Sequence, residues 1–276
     1  MKKSIRIVFG VFSLVMLALM VWRIIGGVWT PLNWGMSAIA FTCCLLVFIN
    51  FVYIFNYSYS LCVLLNSLLI WIALPSPAAG LMASVGVLYG ARLFWFTWQR
   101  MRSDSYADKA KGIEKADEYF PTPAKVALWV QCGLLHTFHL MALWFVAGKA
   151  VLTSGVIAGV AIMFAGTLIE AVADSQKQAG KKQNKNGLVA AGLFARWRHP
   201  NYAGEILFHA GLIVAGLASV SSIPDALTVV VAPLYIIILM VSEAGRADGV
   251  HQDKYGETEE YQAYRKNSGT LVPKLF

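Results

Sequence analysis

The sequence predicts an all-α protein, a polytopic bundle of about eight transmembrane helices. Hydrophobic residues make up 58% of the 276 residues and charged residues only 14%, whereas an average soluble domain carries about 25% charged residues. The apolar residues gather into spans close to the ~20 residues that cross a bilayer core. The 23 lysines and arginines lie almost entirely between these spans. Together these observations predict that lipid is the main solvent of the chain.

The predicted spans follow one another along the whole chain, and each is apolar enough and long enough to cross the bilayer. They are 5–25, 32–55, 59–75, 78–98, 125–147, 151–172, 202–222 and 226–243. Prolines mark several of the connections, as helix breakers do. These are Pro31, Pro75, Pro77, Pro123 and Pro224. The remaining stretches are too short to build a core of their own, so chemistry is expected in the helices and at their ends.

Basic residues predict the orientation. With the N-terminus inside, the cytoplasmic segments hold 20 of the 23 basic residues, the outer turns hold Arg23 and Lys149, and Arg92 lies inside the fourth span. This asymmetry is the positive-inside signal. We therefore predict an integral multi-pass membrane protein with both termini cytoplasmic, in the inner membrane if the source is bacterial. The bilayer is the implied partner, with no nucleic acid and no obligate protein partner.

The cysteines and histidines show no metal-binding pattern in the sequence. All four cysteines lie within predicted spans and lack the spacing of metal ligands. They are Cys43, Cys44, Cys62 and Cys132. His136 and His139 are three residues apart on the fifth span, and such a pair can bind haem or a metal, but no third ligand is evident. We predict no disulfide and no metal site.

Several ionisable residues lie at membrane depth, where each costs about 2.5–3.5 kcal/mol on insertion scales. They are Arg92, Glu170, Glu205 and Glu243, with Asp174 at a border. Glu170 and Asp174 are four residues apart and share a helix face, as do Asn201, Glu205 and His209. This grouping toward the predicted cytoplasmic ends indicates a shared polar site.

Each of these residues also has a purely structural interpretation. A charged side chain near a membrane border can snorkel or pair with a neighbour. Glu243 and Arg246 are three residues apart and can simply form an ion pair. His209 lies deepest and can be a core histidine bonded to a backbone carbonyl.

The segment from Arg196 to Tyr202 is the most informative in the chain. Pro200 suits the first turn of a helix, because its missing N–H would have no partner there. The N–H groups of that turn attract anions, and Arg196, Arg198 and His199 stand beside them. This combination is typical of a phosphate or carboxylate site, whereas the lysines of the same loop by themselves suit lipid headgroups.

The same residues carry a resemblance. Glu170-Ala-Val-Ala-Asp-Ser-Gln-Lys177, Gly192-Leu-Phe, and Arg198-His-Pro-Asn-Tyr-Ala-Gly-Glu205 resemble the steroid 5-alpha-reductase C-terminal domain family, and Lys254-Tyr-Gly256 and Leu271-Val-Pro273 fit the same pattern. The resemblance is specific over 166–276 and looser before it. It implies a seven-helix, membrane-embedded reductase-like domain, 31–276. Ahead of it, 1–30 is predicted to be an N-terminal transmembrane helix or signal anchor, because Lys2 and Lys3 precede an apolar stretch.

The resemblance also implies a function, the NADPH-dependent reduction of a carbon–carbon double bond in an apolar lipid or steroid-like enone. The cofactor contacts that it implies are Asp174, Arg198, His199, Asn201, Tyr202, Glu205 and Arg246, with Arg196 beside them and Lys181 and Arg100 as weaker candidates. In such enzymes a tyrosine or an acid polarises the carbonyl, and Tyr89 and Glu170 are the candidates here. The family's early Gln-Glu pair has no acidic counterpart in Tyr53–Ser60, which argues against a steroid substrate.

Two alternatives remain. Membrane methyltransferases of the isoprenylcysteine carboxyl type share an Arg-His-Pro-x-Tyr-x-Gly pattern and bind S-adenosylmethionine. Their paired glutamates are expected before Gly256, whereas Glu259 and Glu260 follow it, so the pattern favours the reductase. The second alternative is a lipid-binding membrane protein without enzymatic activity. A comparison of NADPH binding with S-adenosylmethionine binding distinguishes the reductase, the methyltransferase and the lipid-binding protein.

Overall fold

The computed structural model describes residues 3–274 and confirms the all-α fold class. Within that range the α-helices are α1 Lys3–Ile25, α2 Pro31–Cys44, α3 Tyr59–Ala73, α4 Pro77–Met101, α5 Ala107–Glu118, α6 Thr122–His139, α7 Met141–Lys149, α8 Ser154–Gln183, α9 Pro200–Leu217, α10 Ile223–Tyr255 and α11 Glu259–Asn267. Short 3₁₀ or π turns lie at Leu45–Phe48, Ile54–Ser58, Asp104–Tyr106 and Gly192–Ala195. Lys2, one of the charges behind the predicted cytoplasmic N-terminus, lies outside the described residues.

Seven helical segments of the described range are long and apolar enough to cross a membrane, judged by length and composition. They correspond to seven of the predicted spans. The remaining span, 202–222, forms helix α9, which has the required length but carries Asn201, Glu205 and His209 in its first half. These polar side chains lower the hydropathy of the first half of α9, whereas its second half is apolar.

The prolines between the predicted spans mostly begin helices rather than merely separate them. Pro31 and Pro77 occupy the first turn of α2 and α4, where Thr30 and Ser76 cap the free N–H groups with their hydroxyls. Pro123 and Pro224 are the second residues of α6 and α10. A proline is tolerated there because its position lacks a backbone hydrogen-bond partner in any case.

The chain divides into two compact units. Unit 1 comprises Met1–Ala161 and Gly211–Tyr235, and unit 2 comprises Ile162–Ala210 and Ile236–Phe276. Helices α8, α9 and α10 therefore each contribute residues to both units. The segment 196–202 belongs to unit 2, whereas Tyr89 belongs to unit 1.

Unit 1 packs its helices through small residues and contains a partly buried ion pair. A Cβ on Gly90 of α4 would lie 2.7 Å from backbone atoms of Ser60 and Leu64, so α3 and α4 are in backbone contact there, as small residues permit in membrane helices. Arg23, 3% exposed in its side chain, donates from Nη1 to Asp225 Oδ1 at 2.7 Å. Both partners of this pair lie near helix ends that we predict to face the outer side.

Unit 2 is built on an equally close contact between α8 and α9. A Cβ on Gly204 would lie 2.7 Å from the backbone oxygen of Gly166 and 2.8 Å from Glu170 Cβ. This contact places Glu170, 4% exposed, against the first turns of α9. The loop before α9, the end of α10, helix α11 and residues 268–274 pack in the same unit as this close pair of helices.

Candidate functional site

Arg198 is the centre of a hydrogen-bonded cluster in unit 2, which we call the clamp and which comprises Arg198, Asp248, Ser268 and Thr270. Its guanidinium donates to both carboxylate oxygens of Asp248 on α10, with Nε–Oδ1 at 3.0 Å and Nη2–Oδ2 at 3.1 Å. Nη1 donates to the Ser268 carbonyl at 2.5 Å, and Nη2 also donates to the Thr270 hydroxyl. The side chain is 10% exposed. Arg198 thus joins the start of α9, the end of α10 and the chain after α11, and the donors of its fork are used within the protein.

The backbone after α11 runs beside the segment before α9. Arg198 N–H donates to the Gly269 carbonyl at 2.8 Å, and Gly269 N–H donates to the Arg196 carbonyl at 3.1 Å. The N–H of Lys274 reaches the same Arg196 carbonyl at 2.9 Å. Trp197 and Gly269 form a parallel bridge pair. These bonds hold the segment 268–274, hereafter the tail, against the segment 196–199 before α9.

His199 extends the clamp into a row of aromatic rings. Its Nε2 lies 2.7 Å from Asp248 Oδ1, and its ring stacks on Tyr202 at 5.5 Å and on His251 at 6.0 Å between centroids. From His251 the ring contacts continue to Tyr255 and Tyr261. We call the series His199, Tyr202, His251, Tyr255, Tyr261 the aromatic row. Rings in this arrangement offer π-faces to a planar ligand.

The charge state of His199 follows from its surroundings. Burial lowers the pKa of its imidazole, and the positive charges of Lys177 and Arg198 lower it further. The hydrogen bond to Asp248 raises the pKa but offsets only part of this effect. The imidazole is therefore mainly neutral near pH 7. Because the carboxylate can only accept, the 2.7 Å contact is an Nε2–H donation to Asp248.

The loop between α8 and α9 is fastened to both neighbouring helices. Gln176 on α8 accepts the N–H of Leu193 at 2.8 Å, beside Gly192, which has φ +62° and where a Cβ would lie 2.5 Å from Gln176 Oε1. Lys181 donates to the Gly187 carbonyl at 2.9 Å. Tyr255 of α10 donates to the carbonyl of Asn186 at 2.6 Å. In this structure Lys181 serves as a loop anchor.

The other predicted cofactor residues separate into exposed cations and buried polar groups. The Arg196 side chain is exposed, and Arg246 is 61% exposed and bound to Glu243 Oε2 at 2.7 Å, which confirms the ion pair considered from the sequence. Asp174 is buried at 6% exposure. Glu205 is half-buried, and its backbone oxygen accepts from Nδ1 of His209 at 2.7 Å.

His209 itself is a core residue. It is fully buried, and its Nδ1 contacts the carbonyl one turn earlier, as the structural interpretation of this histidine predicted. The polar stripe on α9 therefore presents Asn201 and Glu205 near the start of the helix, and His209 continues it into the protein core.

Several buried polar atoms of unit 2 have no hydrogen-bond partner among the described residues. They include Trp197 Nε1, Asn201 Oδ1, His251 Nδ1 and the hydroxyl of Tyr261. Folded proteins leave few such groups unsatisfied, so these atoms are candidate ligand contacts. Asp248 and His251 are functional candidates that the sequence reasoning did not single out, although both are polar residues on the helix that carries Arg246.

Tyr89, the predicted carbonyl partner, lies in a polar cluster inside unit 1. Its hydroxyl is 3.0 Å from that of Tyr59, and the Arg92 guanidinium lies 5.2 Å from its ring centroid. The Tyr59 ring stacks on His139 with centroids 5.4 Å apart and an interplanar angle of 10°. One helical turn beyond Cys62, the fully buried amide of Asn66 has neither its nitrogen nor its oxygen bonded within the described residues.

Residues 55–268 match the sequence family described as "Protein of unknown function (DUF1295)". The match spans more than half of the chain. The chain belongs to the DUF1295 family. No curated protein and no solved structure matches it.

The DUF1295 match contains both regions described above. It begins at the π turn before α3 and ends at Ser268, so it includes Tyr89, Glu170 and every predicted cofactor residue. Helices α1 and α2 precede it, and most of the tail follows it. Membership in DUF1295 therefore associates the clamp and the buried tyrosine pair with one family domain.

Proposed function

We propose that this DUF1295 protein is a membrane-embedded oxidoreductase that uses NADPH to reduce a carbon–carbon double bond in an apolar, lipid-like enone. The single observation that carries the proposal is the set of unsatisfied buried polar atoms beside the aromatic row of unit 2. The motif resemblance to the steroid 5-alpha-reductase C-terminal domain family supports the same function, because its most specific part includes this set.

The residues of unit 2 fit the different parts of a nicotinamide nucleotide. The rings of His199, Tyr202 and His251 suit a planar base. Asn201 Oδ1 can accept from a carboxamide or ribose donor, and Trp197 Nε1 and the Tyr261 hydroxyl can donate to oxygens. These groups are neutral, so they match the uncharged parts of the cofactor.

The phosphate groups of the cofactor require positively charged side chains. Arg198 has its fork occupied by Asp248 and the tail, so we assign it to holding the site together, and we assign phosphate binding to the exposed Arg196 and Arg246 with Lys177. The exposed side chain of Arg246 already forms an ion pair with Glu243. Exchange of this partly exposed carboxylate for a phosphate costs little, since ion pairs near the surface contribute about 0–1 kcal/mol.

The substrate end of the reaction requires a donor to the enone oxygen. When bound, NADPH supplies a hydride. Tyr89 is fully buried and hydrogen-bonded to Tyr59, and a phenol keeps its proton at neutral pH, so it can donate to a carbonyl. The unsatisfied amide of Asn66 adds a second donor in the same unit. Glu170 remains the acid candidate, buried on α8 against Gly204.

The test is equilibrium binding to the detergent-solubilised full chain. NADPH at about 100 times its dissociation constant is expected to add about 2.7 kcal/mol to native stability, seen as a rise in the melting midpoint. S-adenosylmethionine is expected to give no rise. A rise with S-adenosylmethionine alone would support the methyltransferase, and no rise with either ligand would support a lipid-binding protein.

A matched pair of asparagine variants tests whether NADPH binds at Asn201. Asn201→Ala removes the unsatisfied Oδ1 and is expected to weaken NADPH about five- to tenfold, the value of one hydrogen bond of about 1–1.4 kcal/mol. Asn267→Ala, at the exposed end of α11, is expected to leave the affinity unchanged. Equal affinities in the two variants would remove Asn201 from the site.

A further inference from the structure

Three potential metal ligands meet in the core of unit 1. They come from three different segments, Cys44 at the end of α2, Cys62 on α3 and His136 on α6. Their two Sγ atoms and an imidazole nitrogen all lie within 4.8 Å of one another. Their exposed fractions are 0%, 1% and 3%. The cluster is therefore screened from solvent on all sides.

We propose that Cys44, Cys62 and His136 form a buried zinc site that fastens α2 to α3 and α6. Thiolate sulfur and imidazole nitrogen are the donors that Zn²⁺ prefers in structural sites. Cys132, one helical turn before His136, shares a buried cluster with Cys44 but lies outside this three-ligand group. This site is distinct from the nucleotide site and does not depend on the proposed function.

The geometry requires only a small adjustment. Ligand atoms around one tetrahedral zinc are about 3.7 Å apart, given Zn–S bonds of about 2.3 Å. The three atoms are already within 4.8 Å, so rotations of the cysteine side chains about one bond can close the difference. Cys62 Sγ makes a weak contact of 3.9 Å with the Ala40 carbonyl and also interacts with the thiols of Cys43 and Cys44. The His136 ring packs at 5.6 Å from Tyr59 and 5.8 Å from His139, which limits its rotation.

Charge decides which metal suits the site. Zn²⁺ with two thiolates and a neutral imidazole makes a complex with no net charge, and two thiol protons leave as it forms. Cu⁺ in the same ligands would leave a net negative charge. Because a net charge is costly in an apolar interior, the three-ligand site favours the divalent ion.

The experiment uses the full chain in detergent, stripped with a chelator and then loaded with Zn²⁺ alone or Cu⁺ alone. We expect one zinc per chain by elemental analysis, retained through dialysis, and a higher melting midpoint than that of the stripped protein. Co²⁺ in place of Zn²⁺ is expected to give a thiolate-to-cobalt charge-transfer band. Absence of retained zinc, absence of that band, or retention of Cu⁺ in preference to Zn²⁺ would each overturn the proposal.

Variants locate the ion. Cys44→Ser and Cys62→Ser are expected to lose both the zinc and the cobalt band. Cys43→Ser is the matched control, since Cys43 neighbours Cys44 in sequence and Cys62 in space but is only half-buried, and it is expected to keep both. Loss of zinc from Cys43→Ser to the same extent would refute the assigned ligands. If the serine variants fail to fold, the cobalt spectrum of the wild type still tests the site, because absence of the thiolate-to-cobalt band overturns the proposal.

Discussion

Arg198 and Asp248 face each other as a fork and a carboxylate, with Nε–Oδ1 at 3.0 Å and Nη2–Oδ2 at 3.1 Å, although they are 50 residues apart in the chain. The same Asp248 accepts from His199 at 2.7 Å. One carboxylate thus neutralises the charge of Arg198 and orients the side chains of both Arg198 and His199 before α9. Bidentate pairing of this kind fixes geometry as well as charge.

We expect Asp248→Asn to destabilise unit 2 by about 2–3 kcal/mol. Breaking a fully buried pair costs about 3–5 kcal/mol, and Asp248 keeps 19% side-chain exposure, which reduces the loss. The variant should also make the tail more sensitive to protease, because Arg198 loses the partner that holds it beside Ser268 and Thr270. Thermal melts and limited proteolysis measure both effects.

Glu243→Gln is the control for that prediction. Glu243 also pairs with an arginine on α10, but Arg246 is 61% exposed, and exposed pairs contribute about 0–1 kcal/mol. We expect its melting midpoint and proteolysis pattern to match the wild type. If the two variants behave alike, the Arg198–Asp248 pair does not hold the tail.

Gly204→Ala should separate α8 from α9. The added methyl would lie 2.7 Å from the Glu170 nitrogen and the Gly166 oxygen, backbone atoms that cannot rotate away, and overpacking of this kind costs about 1–3 kcal/mol. Gly249→Ala on α10 is the matched control, because no heavy atom lies within 4 Å of its new methyl group. There we expect a neutral change or a gain of up to about 1 kcal/mol. A stable Gly204→Ala protein would contradict the backbone contact.

Asp117 gives unit 1 a defined dependence on pH. Burial alone would raise the pKa of its carboxyl, but hydrogen bonds from Lys125 at 2.8 Å and from the Phe51 N–H at 2.7 Å outweigh burial and hold that pKa below its usual range. The unfolded chain takes up this proton near pH ~3.9 and the folded chain at lower pH. Between the two pKa values the unfolded state binds more protons, so stability falls as pH falls.

We therefore expect the melting midpoint of the wild type to drop as pH is lowered from about 5 toward 3, with Asp117→Asn lacking this part of the drop. Glu118→Gln, an exposed neighbour on α5, should follow the wild type. Melts of the three proteins across this range are the measurement. Parallel curves for the wild type and Asp117→Asn would show that the carboxylate does not stabilise the fold.

The charge distribution predicts which loops face the cytoplasm. Cysteines placed at the exposed Lys185 and Lys266 should be labelled by an impermeant reagent only after the membrane is opened, and a cysteine at Lys149 should be labelled in intact cells. Cys43, the native cysteine that is not fully buried, is replaced by serine in all three. Labelling of Lys185→Cys from outside would reverse the predicted topology.

The sequence predicted features that depend on local order along the chain. Seven of the eight apolar spans, the proline positions and the Glu243–Arg246 pair follow from residues within a few positions of one another, and the structure confirms them. For His209 the sequence left two interpretations, the shared polar site and a core position, and the structure shows the core position. The polar character of α9 was also visible, since Asn201, Glu205 and His209 repeat at helical spacing. Local periodicity is sufficient for such features because a helix fixes the relation between residues three or four apart.

Only the tertiary structure decided how distant segments are paired. Nothing in the spacing of Arg198 indicates that its fork is used by Asp248 and the tail, because partners 50 and more residues away are chosen by how helices and loops pack. The cysteines are a second case in which the sequence spacing does not reveal a contact. Cys44, Cys62 and His136 have no metal-ligand spacing in the sequence, yet three helices bring their ligand atoms within 4.8 Å. The amino-acid sequence determined the membrane-spanning helices and where polar groups enter them, and packing alone determined which of those groups meet.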